Sequence, residues 1–309
     1  MDINKLHPEL RKPYAKFPTL PVHNRVFYSV VSFLMTRVIG NKIKPYPGVS
    51  VEDRALRSCN VRIYRTEGIK SNAGLLWIHG GGYILGNTGM NDKECSALAR
   101  ELGLLVVSVD YRLAPKYPFP AALEDCYDAW QFMQSAAQEL AIEPSRIAIM
   151  GQSAGGGLAA TLAHRIADAG GTQPACQVLM YPMVDDRIAA NQELDKIKHR
   201  FWNNRNNRAA WSWYLGQAPG LENVPPYAVA ARRNTLSGLP PAWICVGDLD
   251  LLYGDDCAYA ENLKAAGVDC ELHIASQAPH AYDAVAPESS VTKETVDRYC
   301  DFLRRKLRL

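Results

Sequence analysis

The chain has no Cys-x-x-Cys pair and no cluster of residues at metal-ligand spacing, so neither a metal centre nor a dithiol redox site has a ligand set. Its eight cysteines (Cys59, Cys95, Cys126, Cys176, Cys245, Cys257, Cys270 and Cys300) are scattered. Most lie in apolar strand-like or helix-like runs, where a free thiol behaves as a small buried hydrophobe. This predicts reduced core thiols and a cytoplasmic location. No apolar run approaches the ~20 residues that span a bilayer. The nearest, Val26 to Met35 (VFYSVVSFLM), is ten residues long between Arg25 and Arg37, and reads as an amphipathic helix packed on the protein. The N-terminal MDINKLHPELRKPYAK is polar and lacks a signal-peptide apolar core. A soluble protein without a stable membrane anchor is expected. Charge of one sign is also missing: 34 Lys+Arg against 32 Asp+Glu is too balanced for a dedicated nucleic-acid binder. Gly-x-Gly-x-x-Gly and the Walker-type phosphate loop are absent.

What is present is ordinary globular composition, 48% hydrophobic and 21% charged, which excludes a disordered or fibrous chain. The 309 residues fit one large α/β domain with an appendage. Residues 1 to about 48 read as helical pieces punctuated by prolines. From Val51 onward, short apolar runs read as strands: VRIYRT (61–66), LLWIHG (75–80), LLVVSVDY (104–111), IAIMGQS (147–153), CQVLMYP (176–182), AWICVG (242–247) and ELHIA (271–275). Helical patterns fall at 91–102, 121–138, 154–169, 256–266 and 290–307. This alternation predicts an α/β fold, a mostly parallel central sheet with helices on both faces. It is interrupted between about Asp185 and Pro240 by a polar-aromatic, helix-like stretch. An insertion after a strand's C-terminal end lands on the ligand face of such a sheet. The expected organisation is therefore a catalytic domain of residues 49–185 and 240–309, with a helical cap built from 1–48 and 186–239.

Gly151-Gln152-Ser153-Ala154-Gly155 directly follows one of these strands and opens a helix. Glycines two before and two after a serine permit a tight strand-to-helix turn that projects the hydroxyl over the sheet. The turn also leaves the Ala154 N–H at a helix N-terminus, where an oxyanion would form. His79-Gly80-Gly81-Gly82-Tyr83 closes an earlier strand. Three consecutive glycines cost backbone entropy, and their use is to let bare N–H groups approach a developing oxyanion. Gly81 and Gly82 are the expected donors, with Ala154 the third. A serine nucleophile needs a base, and the base an orienting acid. Of seven histidines, His280 falls in a loop past a C-terminal strand edge. His79 reads as a buttress of the glycine loop and His273 as a packed imidazole in mid-strand. The loop after AWICVG offers Asp250, with Asp248 as the second choice. Asp255 and Asp256 read as the start of a helix, where carboxylates suit the dipole. The order Ser153, Asp250, His280 is that of α/β-hydrolases.

HGGGY, DYRLAPKYPFPAALED (110–125), GQSAGG, GDLDLL (247–252) and PHAY together resemble the bacterial esterases of the hormone-sensitive-lipase-like family over roughly residues 48 to 305. The resemblance implies an α/β-hydrolase fold with a helical cap and a serine carboxylesterase acting on short or medium acyl esters. It makes Ser153 the nucleophile, Asp250 the acid, His280 the base, and Gly81, Gly82 and Ala154 the oxyanion donors. It calls for a small-molecule ester, no cofactor and no metal, and leaves monomer or homodimer open. A deacetylase or amidase on the same triad, or a small-molecule receptor on the same scaffold, are the alternatives. Three departures stand out. The usual acidic residue before the nucleophile is Gln152, which removes a negative charge there. Asp-Pro-Leu at the acid reads Asp250-Leu251-Leu252, which predicts a less rigid loop. Lys116 replaces the usual Glu after Tyr-Arg-Leu-Ala-Pro. Trp202, Trp211 and Trp213 are expected to line an apolar acyl pocket, and Asp185-Asp186 to cap the inserted helix.

Overall fold

A computed structural model describes residues 1–17, 19–34, 45–68 and 71–309. Among the described residues eight strands form one sheet: β1 (Val49–Ala55), β2 (Asn60–Thr66), β3 (Gly74–Ile78), β4 (Leu105–Asp110), β5 (Ile147–Gln152), β6 (Gln177–Met180), β7 (Ala242–Gly247) and β8 (Cys270–Ala275). Their spatial order is β1-β2-β4-β3-β5-β6-β7-β8. β2 is antiparallel to both β1 and β4, and every other pairing is parallel. The helices are α1 (Pro8–Lys16), α2 (Arg25–Leu34), α3 (Asp92–Leu102), α4 (Ala121–Ser135), α5 (Ala137–Leu140), α6 (Ala154–Ala169), α7 (Arg187–Ala190), α8 (Asn204–Leu215), α9 (Tyr253–Ala265), α10 (Tyr282–Val285) and α11 (Ser290–Leu307).

The central strands are buried and mostly apolar because helices cover both faces, and successive side chains divide between two cores. Leu75, Trp77, Val106, Ala148 and Met150 face α3 and α11, where Leu98, Phe302 and Leu303 meet them. Leu76, Ile78, Val107, Ile147 and Ile149 face α4, α6 and α9, meeting Leu123, Leu158, Leu162 and Leu263. Seven of the strands coincide with apolar runs in the sequence. β1 does not, because it is an edge strand whose Ser50, Val51, Glu52 and Asp53 point to solvent and leave Val49 as its buried residue. The helix expected over 121–138 is broken at Ala136 into α4 and α5.

The expected helix at Val26 to Met35 is α2; Met35 and Arg37 lie outside the described residues. It packs through Tyr28 and Val31, while Val26, 77% exposed, and Phe33 face solvent. α1 is anchored more firmly, with its Leu10 and Tyr14, and Leu6 just before it, fully buried in the core that also holds Trp77, Tyr282 and Phe302. Among the described residues no helix is long and apolar enough to cross a membrane.

Register places the loops that matter. Ile78 pairs with Gly151, so the glycine loop after β3 emerges beside the turn after β5. Gly247 pairs with Ala275, so the loops after β7 and β8 emerge together at the same sheet edge. Truncating Leu10 to Ala should cost about 2–5 kcal/mol, as for other fully buried leucines; a denaturant midpoint unchanged from wild type would show that α1 is not part of the cooperative core.

Candidate active site

Ser153 occupies the turn between β5 and α6 with φ 52° and ψ −117°. That conformation is strained for a residue with a side chain, at a cost on the order of 1–3 kcal/mol. The glycines around it are demanded by contact. A β-carbon on Gly151 would lie 2.1 Å from the Gly155 carbonyl oxygen, and one on Gly155 would lie 2.1 Å from the Ile78 carbonyl oxygen. The turn is held from β6, where the Met180 carbonyl accepts the Ser153 N–H at 2.8 Å.

The Ser153 hydroxyl lies 2.9 Å from His280 Nε2, and His280 Nδ1 lies 2.7 Å from Asp250 Oδ2. An ionised carboxylate only accepts, so Nδ1 carries the proton and Nε2 is free to accept from the hydroxyl. Ser153, Asp250 and His280 are 8%, 5% and 3% exposed. Asp248, the second choice for the acid, is exposed. Its backbone N–H bonds to Ala275, and that of Leu249 to Ala278, which ties the acid loop to the histidine loop. Asp250 Oδ1 accepts the Leu252 N–H at 3.0 Å. These bonds fix the loop that lacks the usual proline.

Gly81, with φ 118°, could not be replaced, since a β-carbon would lie 2.0 Å from the Leu85 carbonyl oxygen. The N–H groups of Gly81, Gly82 and Ala154 donate to no backbone carbonyl among the described residues. His79 supports the loop from behind. Its ring stacks on Tyr111 at 4.1 Å and its Nδ1–H donates to the Gly80 carbonyl at 2.7 Å. Burial lowers its pKa to about 4, so it stays neutral. Tyr111 donates to the His79 carbonyl, and Arg112 forms a forked pair with Asp125.

Of the three tryptophans expected at the pocket, only Trp202 reaches it. A β-carbon on Gly82 would lie 2.5 Å from its ring, whose centroid is 6.4 Å from that of His280. Trp211 instead packs on Tyr83, and Trp213 on Tyr28. Two residues apart on a helix, they face different neighbours. Asp185 meets the start of α7 as expected, its Oδ1 accepting the Arg187 N–H at 2.9 Å, whereas Asp186 does not cap it and instead accepts the Gly220 N–H and pairs with Arg232.

Three features have no local sequence signal. Tyr14 of α1 donates its hydroxyl to the His280 carbonyl at 2.6 Å. Tyr181 stands edge-on to the His280 ring at 4.9 Å and donates to Asp283. The Gln152 carboxamide donates to Asp283 at 2.9 Å and to Glu94 at 3.3 Å, and accepts from Asn91 at 3.2 Å. Negative charge is therefore not missing before the nucleophile; two carboxyls arrive from elsewhere to meet the amide. Burial, then repulsion from Asp283, pushes Glu94 up to about 7. Asp283 is also raised by burial, against the bond from Tyr181.

A parallel sheet, a strained serine on a strand-to-helix turn and a histidine–aspartate pair at the neighbouring strand ends define a hydrolase of the α/β class. A family model described as "alpha/beta hydrolase fold" matches residues 75–284. The chain is 35% identical over 224 residues to esterase LipI of Mycobacterium tuberculosis (strain H37Rv), covering 72% of this chain and 70% of that one. It is 34% identical over 271 residues to carboxylesterase NlhH of the same organism, covering 84% of each. The solved structure of a bacterial heroin esterase superposes with a TM-score of 0.90 at 32% identity, covering 99% of both chains. The chain belongs to the α/β-hydrolase family, in its hormone-sensitive-lipase-like branch.

Gln152→Asp would set a third carboxyl between Glu94 and Asp283. A buried acid whose folded pKa is raised binds more protons in the native than in the unfolded state, so its stability falls as pH rises above about 4. The variant should melt close to wild type at pH 4 and progressively lower towards pH 8. Parallel melting curves across that range would show that the new carboxyl is solvated.

Proposed function

We propose that this chain is a serine carboxylesterase acting on small soluble esters. The observation that carries the reading is the buried relay from Ser153 through His280 to Asp250, mounted on the glycine-flanked turn. Ser153 Oγ attacks the ester carbonyl while His280 Nε2 takes its proton. The negative charge on the tetrahedral oxygen faces the N–H groups of Gly81, Gly82 and Ala154. As the intermediate collapses, the imidazolium returns its proton to the leaving alcohol and an acyl-serine remains. Water, deprotonated by the same imidazole, then releases the acid and restores the serine. Asp250 holds the imidazole in the reactive tautomer and stabilises its charged form. The relatives' names, esterase and carboxylesterase, support the substrate class. A non-catalytic receptor is disfavoured because the base is in hydrogen-bond reach of the nucleophile.

The cap is assigned to residues 1–48 and 186–239, over a catalytic domain of 49–185 and 240–309, with α1 reaching past the cap into the core beside Trp77 and Phe302. Supporting this, Tyr28 donates to Ile84 and Ala114, and Tyr83 stacks on Tyr214 at 4.0 Å, joining both cap segments to the glycine loop. Eight free thiols, seven of them buried, suit a reducing cytoplasmic compartment. A monomer or homodimer is compatible with the site, since the relay comes from one chain.

Ser153→Ala should keep the fold and lower kcat by about 10⁴-fold or more. Asp250→Asn should be severe, whereas the exposed Asp248→Asn should stay near wild type. The assay is release of p-nitrophenol from p-nitrophenyl butyrate, with an initial burst equal to the enzyme present if deacylation is slow. Near-wild-type turnover by folded Ser153→Ala would remove the mechanism.

Trp202 stands over the glycine loop with its ring beside that of His280, which suits compact acyl groups. Acyl chains of about two to eight carbons should therefore be turned over fastest, in line with the family resemblance. Faster hydrolysis of emulsified long-chain triglyceride than of soluble butyrate esters would overturn this preference.

A further inference from the structure

The carboxyls of Glu94 and Asp283 come from α3 and α10, remote in sequence, yet one amide nitrogen donates to both. The amide belongs to Gln152, covalently next to the nucleophile. Asp283 lies three residues after His280, and its second oxygen accepts from Tyr181, whose ring packs against the imidazole. Asn91 closes the ring, donating to both Gln152 and Glu94. The cluster thus touches the serine turn through the backbone of residue 152 and the histidine through Tyr181 and the start of α10.

We propose that Glu94 and Asp283 act as a carboxyl pair that holds one proton between them, clamped by Gln152, and that this pair positions the Ser153–His280 couple and tunes the charge beside the imidazole. This rests on the serine-esterase reading. Both groups are positioning residues, since neither touches the reacting atoms.

The physical reason is the pair's shared site. Two carboxylates around one amide repel, and burial weakens their solvation, so the second ionisation is resisted. With one proton retained, Asp283 supplies a single negative charge close to the imidazole, and His280 in turn favours ionisation of Asp283. The amide has two N–H donors and satisfies one oxygen of each group in that state. Losing the remaining proton, in the region of pH 7 where Glu94 titrates, doubles the negative charge. That change strengthens the field the pair places on the imidazole.

The other titratable groups facing the pair are Tyr14, Tyr181, Tyr282, Tyr299 and Cys95, all raised by burial and so neutral through this range. On the imidazole's other side stand Asp250 and His199, the latter lowered by burial. The charge that varies near neutrality on the Gln152 side is that of the pair.

The experiment is the pH profile of kcat/KM on p-nitrophenyl butyrate at fixed ionic strength, read at the isosbestic wavelength of p-nitrophenol. Wild type should show an acidic limb broader than one ionisation, because two mutually resisting protonations overlap. Glu94→Gln leaves one permanent charge, on Asp283. Its limb should sharpen to a single ionisation with its midpoint lowered by about 0.5–1 unit, and its plateau kcat should fall less than about tenfold. Asp283→Asn, which still offers Tyr181 an amide oxygen, should also sharpen the limb. Limbs that superimpose on wild type, or a uniform loss of kcat at every pH with unchanged shape, would overturn the pair. If both variants fail to fold, the wild-type limb decides, and a single ionisation of unit slope overturns it. The esterase reading fails separately, through activity retained by Ser153→Ala.

Discussion

Between Gly151 and Gly155 the chain passes from a strand buried on both faces into a helix buried along most of its length, with no room for a β-carbon at either glycine. Everything that meets at the site is arranged around this contact. Neighbouring β3 ends where its Ile78 carbonyl touches Gly155, which starts the glycine loop at the height of the serine. On the other side, β6 supplies the carbonyl that accepts the Ser153 N–H, and the Ser153 carbonyl in turn accepts the Met183 N–H at 2.9 Å. A conformation this strained survives only where its surroundings leave no alternative. Here the alternatives are closed by backbone on both sides, so the hydroxyl's position is set before any substrate binds.

The electrostatics follow from how little water reaches the relay. A buried carboxylate must be paired, neutralised or both, and the structure uses each answer in turn. Asp250 is paired with His280. Asp256, fully buried nearby, has no hydrogen-bond partner for either carboxyl oxygen among the described residues. Burial, then the charge of Asp250, pushes it well above the usual carboxylate range. As a neutral acid it adds no repulsion to Asp250. Preorganised polar groups in such a dry setting need no rearrangement when charge develops.

Much of this was legible in the sequence because the signals are local. Buried parallel strands are continuous apolar runs, and α6 and α11 begin and end where the patterns place them. The serine turn carries its own glycines, and β-strand ends locate Asp250 and His280 at one edge. What was not legible depends on distant partners. β1 carries an edge strand's solvent-facing residues and so resembles a loop. Trp211 and Trp213 share a helix whose rotation, fixed by Tyr83 and Tyr28, turns them away from the site. Glu94, Asp283, Tyr14 and Tyr181 are ordinary polar residues until the fold brings them to Gln152 and His280. No spacing rule connects them.

The bond from Tyr14 to the His280 carbonyl joins positions 266 residues apart. Contacts of such separation are slow to form, since a long loop must close first. The sheet's central strands, the serine turn and the glycine loop are made from the intervening chain and can assemble earlier. The imidazole loop, already tied to the acid loop through Leu249 and Ala278, gains a further anchor when α1 docks on it. During synthesis, the segment carrying His280 also emerges late. The setting of the base is therefore completed by a long-range closure, and a chain that has built its sheet without docking α1 would hold the serine in place with its base less firmly anchored.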